Sequence, residues 1–233
     1  MRKIMFFLIV FYNVQLQAQT AKDVLEAYSQ EFSKPRYMQY TSKYMLYKGY
    51  NTKEILESYS GEFKKNKTND VYIKAQSNEL ITNKNMSITI SHKEKAIFVE
   101  SPKKHSSGPF DINELLPYFK LAPLETINGK YLVKLLSTPT SGMPYSTIEI
   151  YFNKKYEVIE QVFYFSTAYN LSDDYEKPNY IYPKLVIQNT NFQYNPISES
   201  FFTSESYITI SGKTIASKKK DYKIYDKRQK PIK

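Results

Sequence analysis

Residues that commonly carry catalytic or metal chemistry are sparse in this chain of 233 residues. It contains no cysteine and only two histidines, which excludes thiol catalysis, disulfide bonds and cysteine-ligated metals. His92 and His105 lie on predicted loops without a pattern of nearby acidic residues, so we predict neither metal binding nor acid–base chemistry for them. Gly212-Lys213-Thr214 is similar to the end of a phosphate-binding loop, but Tyr207 stands where the first glycine of that loop is required.

These observations predict a protein that is not an enzyme and that needs no cofactor or metal. The acidic stretch Asp173-Asp174 with Glu176 could hold Ca²⁺ weakly, but it is typical of a solvated loop. The serine–glycine strings of the chain lack the Gly-x-Ser-x-Gly context of a hydrolase nucleophile. A hydrolase with an unfamiliar kind of site is the catalytic alternative.

The positive charge of the chain is concentrated at its C-terminal end. The formal net charge is +10, and nine basic residues stand in 213–233 beside Asp221 and Asp226. Because the rest of the sequence is much closer to neutral, we predict no nucleic acid partner, which would need a basic face on the fold itself. We interpret residues 213–233 as a basic C-terminal tail, typical of a solvated extension, with an anionic membrane surface as an alternative partner.

The first residues have the pattern of a secretory signal peptide. Arg2 and Lys3 precede an apolar run from Ile4 to Val14, and the small residue Ala18 follows. This run is too short for a membrane-spanning helix, which needs roughly 20 residues. We therefore expect residues 1–18 to be removed by cleavage after Ala18, and the lack of cysteine favours the bacterial periplasm over a disulfide-rich extracellular setting.

Aromatic residues are unusually frequent in the chain and favour strands. The chain has 23 tyrosines and 14 phenylalanines, which suit a pleated, half-buried surface.

Ahead of the strands, Thr20-Ala21-Lys22-Asp23 is similar to a capping box. Apolar residues then recur at helical spacing, which predicts an amphipathic helix over 21–33. Alternating or apolar runs predict strands at 37–46, 55–63, 71–75, 88–90, 96–99, 132–136, 147–152, 158–165, 184–192 and 207–210.

A second, short helix is predicted from Ile112 to Phe119, where Asp111 and Glu114 suit a capping box. Its flanking loops and Pro117 make it a candidate lid over a cavity. The alternative is an ordinary helix of the core.

The order of these elements resembles a known family. Ser60-Gly61-Glu62-Phe63 and the hairpin 91–98 carry the likeness in the first half, and Val186-Ile187-Gln188-Asn189 and 194–202 carry it in the second. Over residues 20–210 the sequence is similar to the periplasmic lipoprotein carrier family LolA, with its LolB and RseB relatives. This resemblance implies a mainly β (α+β) fold, in which residues 19–212 form a curved, incompletely closed antiparallel half-barrel covered by the N-terminal helix and the short central helix.

The resemblance also implies that acyl chains bind in an apolar cavity between sheet and helices. Where the carrier has an Arg-Pro dipeptide, this sequence has Lys64 and Lys65, which we assign to a polar rim. Burying an acyl chain of about 16 carbons yields on the order of 10 kcal/mol, at about 0.8 kcal/mol per methylene. The predicted cavity residues are Tyr40, Tyr44, Tyr59, Phe63, Ile73, Ile90, Phe98, Leu115, Leu116, Phe119, Ile150, Phe152, Phe163 and Phe165.

We therefore predict a periplasmic binding or carrier protein that holds lipid or lipoprotein acyl chains under a helical lid. The alternative is a non-carrier component of a bacterial envelope assembly, structural or sensory, that uses the half-barrel as an interaction module for an envelope protein. In that alternative the basic tail is the docking strand.

Overall fold

The structure is a computed structural model that describes residues 19–102, 112–138, 140–172, 174, 176–212 and 214–228. The predicted signal peptide, residues 1–18, lies outside the described residues, as do His105 and the side chains of residues 112 and 113.

The helices are α1 (Ala21–Ser33) and α2 (Ile112–Leu115), with 3-10 turns at Leu116–Tyr118 and Glu199–Phe202. The strands are β1 (Met38–Tyr47), β2 (Ile55–Lys65), β3 (Val71–Ala75), β4 (Asn78–Thr82), β5 (Ser87–Ser91), β6 (Ala96–Glu100), β7 (Phe119–Leu121), β8 (Glu125–Ile127), β9 (Lys130–Ser137), β10 (Tyr145–Phe152), β11 (Val158–Phe165), β12 (Tyr169–Asn170), β13 (Tyr180–Ile181), β14 (Lys184–Gln193), β15 (Ile208–Ser211), β16 (Thr214–Ser217) and β17 (Lys223–Asp226).

Helix α1 forms because its first turn is capped and its apolar residues share one side. The Asp23 backbone nitrogen donates to the Thr20 side chain (3.2 Å), and the Thr20 backbone nitrogen donates to the Asp23 carboxylate (2.7 Å). This reciprocal capping box satisfies two amide groups that a helix start leaves unpaired. The helix predicted over 21–33 is therefore confirmed, and its buried residues are Ala21, Val24, Leu25, Tyr28 and Phe32.

Thirteen of the described strands form one sheet that does not close. The strand order is β17-β6-β5-β4-β3-β2-β1-β14-β11-β10-β9-β7, and β8 also pairs with β9. Neighbours in sequence are mostly neighbours in the sheet, except that β14 lies between β1 and β11, and β17 joins the edge of β6. Because the order ends at β17 and β7 without a pairing between them, the sheet is an open, curved half-barrel. The predicted fold class is confirmed.

Strand register divides the side chains of the sheet between two faces. Directly paired residues project to the same side of a sheet. Tyr40 pairs with Phe63, and Phe63 pairs with Ile73. We call the face that carries these three residues the inner face and the opposite one the outer face.

Helix α1 packs on the inner face against strands from both halves of the sheet. Its Phe32 ring lies 5.9 Å from the Phe63 ring of β2, and its Tyr28 ring lies 5.6 Å from the Phe152 ring of β10. Three strands, β1, β14 and β11, separate β2 from β10 in the sheet. A single helix reaches both because the sheet curves around it.

The outer face of the first half of the sheet is covered by residues 197–212 and 214–228, which we call the C-terminal segment. Apolar residues of β3 to β6, such as Ile88 and Ile97, form a buried cluster with Phe202 and Ile208 of this segment. Within the segment β15 pairs with β16, and β17 pairs in parallel with β6. Much of the predicted basic tail thus forms strands instead of a solvated extension, while the division into domain and tail at residue 213 stays a prediction.

A buried carboxylate ties the C-terminal segment to the sheet. Glu79 of β4 accepts hydrogen bonds from the hydroxyls of Tyr207 (2.6 Å) and Tyr72 (3.1 Å). His92 lies between Glu79 and Tyr222, with one ring nitrogen 2.7 Å from the carboxylate and the other 2.7 Å from the hydroxyl. Burial disfavours the charged carboxylate, but the hydrogen bonds outweigh it and hold the pKa of Glu79 below its ordinary value.

The short helix predicted over 112–119 is only partly present. Helix α2 is a single turn, and a 3-10 turn that contains Pro117 follows it. Proline has no backbone N–H to donate, which disfavours continuation of the α-helix. Phe119 instead begins β7, which pairs with β9. Leu115 and Leu116 pack half-buried against the inner-face core, and a role as a lid stays a prediction.

Gly61 of β2 lies where a side chain has no room. A Cβ atom there would lie 2.6 Å from the Lys74 carbonyl oxygen and 3.0 Å from the Tyr44 ring. We expect Gly61→Ala to lower the free energy of unfolding by about 1–3 kcal/mol, because the backbone of β3 must shift. The matched control is Gly49→Ala, since a Cβ at Gly49 meets nothing closer than 3.5 Å. Urea denaturation measures both, and equal losses in the two variants would contradict this account.

The Tyr207 hydroxyl is expected to hold the C-terminal segment in place. Tyr207→Phe removes one of the donors to the buried Glu79 carboxylate, so we expect the free energy of unfolding to fall by about 1–3 kcal/mol. Tyr225→Phe changes an exposed tyrosine of the same segment and is expected to cost less than about 0.5 kcal/mol. Limited proteolysis should cut the C-terminal segment faster in Tyr207→Phe only; equal cutting of both variants is the contrary result.

Candidate functional site

An open trough on the inner face is lined by strands alone, without a residue of helix α1. Its walls come from β1, β2, β3, β11 and β14, and its volume is about 670 Å³ including the open mouth. We call it the inner trough. Its apolar lining consists of Tyr40, Tyr44, Phe63, Ile73, Phe163 and Ile187, and its polar lining of Ser42, Glu62, Gln161 and Asn189.

Two aromatic stacks stand along one wall of the inner trough, and three of their four rings, Tyr40, Phe63 and Tyr44, line it. Tyr40 pairs with Phe63 across β1 and β2, and the ring centres lie 4.6 Å apart. Tyr44 pairs with Tyr59 in the same way, at 4.7 Å. Gly61 lies on β2 between these two pairs, and its missing side chain leaves room for the Tyr44 ring. The alternation of large rings with one glycine therefore shapes the wall.

Two buried polar side chains on the trough floor, Ser42 and Asn189, are hydrogen-bonded within the protein. Ser42 Oγ donates to Asn189 Oδ1 (2.8 Å), and Asn189 Nδ2 donates to the Val158 carbonyl (2.8 Å). Polar groups that are already paired do not require a polar ligand. The floor is therefore compatible with an apolar ligand.

The tyrosines of the inner trough are uncharged. Burial raises the pKa of Tyr40 well above its ordinary value, with smaller contributions from Tyr28 and Tyr44. Burial also raises the pKa of Tyr44. Both hydroxyls stay protonated at neutral pH, which favours contact with hydrocarbon over contact with a charged ligand.

Five of the cavity residues predicted from the sequence line the inner trough: Tyr40, Tyr44, Phe63, Ile73 and Phe163. Phe119, Ile150 and Phe152 also lie on the inner face, but they are buried against α1 in the core. Their side chains contribute to packing of the helix, as do those of Leu115 and Leu116. A ligand-binding role for all these residues stays a prediction.

Three further predicted cavity residues lie at the margins of the inner face. Tyr59 is half-buried and stacks on Tyr44. Phe98 lies at the β6 edge, where its ring stacks on Tyr225 of β17 at 5.0 Å. Phe165, at the end of β11, contacts Tyr145 at 5.0 Å between ring centres. None of the three lines the inner trough.

Two predicted site residues lie on the outer face instead, which corrects their assignment. Ile90 pairs with Glu79 and is fully buried beneath the C-terminal segment. Lys64 pairs with Tyr72, and its ammonium lies 4.4 Å from the centre of the Phe201 ring in that segment. Successive residues of a strand project to opposite faces, and the sequence did not show that both faces of this sheet would be covered.

Lys65 lies on the inner face, but it is fully buried and does not form an exposed rim. Its ammonium donates to the Lys34 carbonyl oxygen (2.9 Å), just beyond the end of α1, and to Asn69 Oδ1 (2.7 Å). Both acceptors are neutral. Burial, and next the charge of nearby Arg36, lower the pKa of Lys65 to about 8.

Sequence reasoning missed a second opening, a narrow slot between the end of α1 and the turn that joins β10 to β11. We call it the α1 slot; it is narrow, and its enclosed part has room for little more than one water molecule. It adjoins the inner trough, since Tyr40 and Gln161 line both. The basic pair Lys154-Lys155, between the strands predicted at 147–152 and 158–165, was the available signal. This turn and α1 are far apart in sequence, and only the fold brings them together.

The described residues contain no group of three or more histidine, aspartate and glutamate side chains placed to hold a metal ion. In the same ranges, none of the helices combines the length and apolar character needed to cross a lipid bilayer.

Comparisons with known proteins concern the fold. No family model matches the chain, and no curated protein does. An uncharacterized conserved protein from Thermus thermophilus is structurally similar over 88% of this chain and 98% of its own, with a TM-score of 0.50 and 12% identity. This likeness shows a shared fold.

Two further solved structures are similar at lower TM-scores. A LolA superfamily protein from Nitrosomonas europaea aligns over 81% of this chain and 99% of its own, with a TM-score of 0.37 and 10% identity. A DUF1329 family protein from Desulfovibrio piger covers the same shares, with a TM-score of 0.37 and 12% identity.

The buried Lys65 predicts a pH dependence of stability. The pKa of Lys65 is about 8 in the folded protein, against an ordinary value of 10.5. Between these pH values the unfolded chain binds more protons than the folded protein does. The free energy of unfolding therefore rises as the pH increases through that range. Lys65→Met removes the titration. We expect the wild type to gain about 2 kcal/mol relative to Lys65→Met between pH 7 and pH 10.

Chemical denaturation of both proteins across this pH range measures the difference. Lys74→Met is the matched control, since Lys74 is an exposed lysine of the neighbouring strand β3. Its difference from the wild type should not change over the same range. A pH-independent difference for Lys65→Met would show that the ammonium is not held in a desolvated site.

Proposed function

We propose that this protein binds the acyl chains of lipids or lipoproteins in the inner trough and carries them through an aqueous compartment. The observation that carries the proposal is an open, aromatic-lined space on the concave side of a sheet that does not close. Binding sites for small apolar molecules are typically concave and apolar, with few polar groups. The inner trough has this character because most of its lining is apolar and Ser42 and Asn189 on its floor are hydrogen-bonded within the protein.

Hydrocarbon burial supplies the affinity in this proposal. Each methylene removed from water contributes about 0.8 kcal/mol, so a long acyl chain needs neither a catalytic group nor a metal to be held. Neutral tyrosines and phenylalanines provide broad ring surfaces without a charge that would have to be desolvated. The open mouth would let a chain enter and leave without unfolding of the sheet.

The proposed setting is the bacterial periplasm. The signal-peptide pattern in residues 1–18 and the absence of cysteine support it. The resemblance of residues 20–210 to LolA carriers supports acyl chains as the cargo. A membrane or an envelope protein would supply and receive the cargo in this proposal.

A charge placed in the inner trough should abolish acyl binding. Ile73 is half-buried and lines the trough, so Ile73→Glu would put a carboxylate beside the bound chain, where burial of its charge is costly. We expect at least a tenfold loss of affinity for a fluorescent probe with a chain of about 16 carbons. Ile187→Glu, on the opposite wall, should act in the same way.

The matched control is Leu136→Glu, because Leu136 is 43% exposed and lies next to inward-facing Leu135 on β9. Mass spectrometry of natively purified protein should find lipid on the wild type and on Leu136→Glu, and little on Ile73→Glu. Failure of the wild type both to retain lipid and to bind the probe would reject carriage and favour the envelope interaction module.

A further inference from the structure

The α1 slot differs from the inner trough in having a charged mouth and an apolar interior. Its mouth is formed by Glu31 and Arg36 beside the end of α1 and by Lys155, Tyr156 and Glu157 from the turn between β10 and β11. Its interior is lined by Tyr28, Phe32, Met38, Tyr40, Val158 and Phe192. The mouth therefore suits a charged group, while the apolar interior leads to the inner trough, where a hydrocarbon chain has room.

One hydrogen-bond donor of Arg36, at this mouth, has no partner. Among the buried side-chain nitrogen and oxygen atoms of the described residues, its Nε is the one without a hydrogen-bond partner. The guanidinium carbon lies 4.5 Å from the centre of the Tyr194 ring, and Nη2 lies 3.4 Å from the Glu31 carboxylate. A buried unpaired donor is unfavourable, so an acceptor provided by a ligand would stabilise this arrangement.

Positive charge exceeds negative charge around the mouth. Lys154 and Lys155 stand with Arg36 at its outer rim. The carboxylates there, Glu31 and Glu157, already have partners. Glu31 forms ion pairs with Lys34 and Arg36, and Glu157 accepts hydrogen bonds from Tyr194 and Asn153. The remaining field at the mouth therefore favours an anion.

We propose that Arg36, at the mouth of the α1 slot, holds the anionic head group, carboxylate or phosphate, of a ligand whose acyl chain lies in the inner trough. A guanidinium binds such groups through parallel N–H donors; in Arg36 the Nε donor has no partner, while Nη2 lies 3.4 Å from the Glu31 carboxylate. Because Tyr40 and Gln161 line both spaces, a chain anchored at Arg36 points toward the inner trough. This inference rests on the proposed function and deepens it by naming the charge of the ligand and the end at which its head group is held.

The test compares three ligands below micellar concentration by isothermal titration calorimetry. Palmitate carries both chain and charge, monopalmitoylglycerol carries the chain without the charge, and acetate carries the charge without the chain. The wild type should bind palmitate about tenfold or more tightly than monopalmitoylglycerol and should not bind acetate at the same concentrations. In Arg36→Gln the affinity for palmitate should fall to that for monopalmitoylglycerol, which should itself be unchanged.

Arg228→Gln is the matched control, because Arg228 is an arginine of the C-terminal segment that pairs with Asp226. It should bind all three ligands as the wild type does. A second variant, Lys154→Gln with Lys155→Gln, alters exposed turn residues and keeps the test usable if Arg36→Gln fails to fold. It should weaken palmitate binding about threefold and reduce its dependence on salt, without changing monopalmitoylglycerol binding.

Different negative results contradict the head-group proposal and the proposal of acyl carriage. Equal binding of palmitate and monopalmitoylglycerol to the wild type, or an equal loss of both in the variants, overturns the head-group assignment and leaves acyl carriage intact. Acetate binding as tight as that of palmitate also overturns it, since the site would then recognise a small anion alone. If neither palmitate nor monopalmitoylglycerol binds the wild type, both proposals fall.

Discussion

Helix α1 is held against the sheet by rings at two points of its buried side, Phe32 against Phe63 and Tyr28 against Phe152. These contacts join strands that are far apart in the sheet, so they are compatible only with a curved sheet. One helix of this length fills only part of the concave surface. The remainder, between β3 and β11, is left as the inner trough, and the candidate site therefore follows from how much of the inner face α1 covers.

The outer face requires a second cover because β3 to β6 carry apolar residues on that side. The C-terminal segment supplies it, and the Glu79 carboxylate links Tyr207 directly and Tyr222 through His92. Strand β17 also pairs with the edge of β6. An unpaired edge would present free backbone groups to other chains, so this pairing protects the open end of the sheet as well as its outer core.

Charge is segregated along the inner face. Apart from Glu62, which forms an ion pair with Lys64, the trough lining is uncharged, whereas Arg36 and the buried Lys65 lie near the C-terminal end of α1. A helix C-terminus carries a partial negative charge, and the Lys65 ammonium donates to the Lys34 carbonyl oxygen at that end. Cations are thus held close to a hydrocarbon-like interior, and this arrangement can distinguish amphiphiles by the charge of their head groups.

Local patterns in the sequence were sufficient to predict several features of the structure. The capping box from Thr20 to Asp23 predicted the start of α1, and the alternation of residues along β1 was enough to place Tyr40 and Tyr44 on one face. The resemblance to LolA indicated an open half-barrel. Each of these signals depends on neighbouring residues or on the order of the elements along the chain. Both can be read from a single sequence.

Only the tertiary structure decided which face of each strand packs against α1 and which packs against the C-terminal segment. Ile90 and Lys64 belong to strands that were correctly expected, yet they lie beneath the C-terminal segment, since a shift of one residue moves a side chain to the other face. The α1 slot likewise needs α1 and the turn after β10 to meet, although residues 36 and 155 are distant in sequence. Periodicity along one strand carries no information about what packs on it, because that contact is made by a segment elsewhere in the chain.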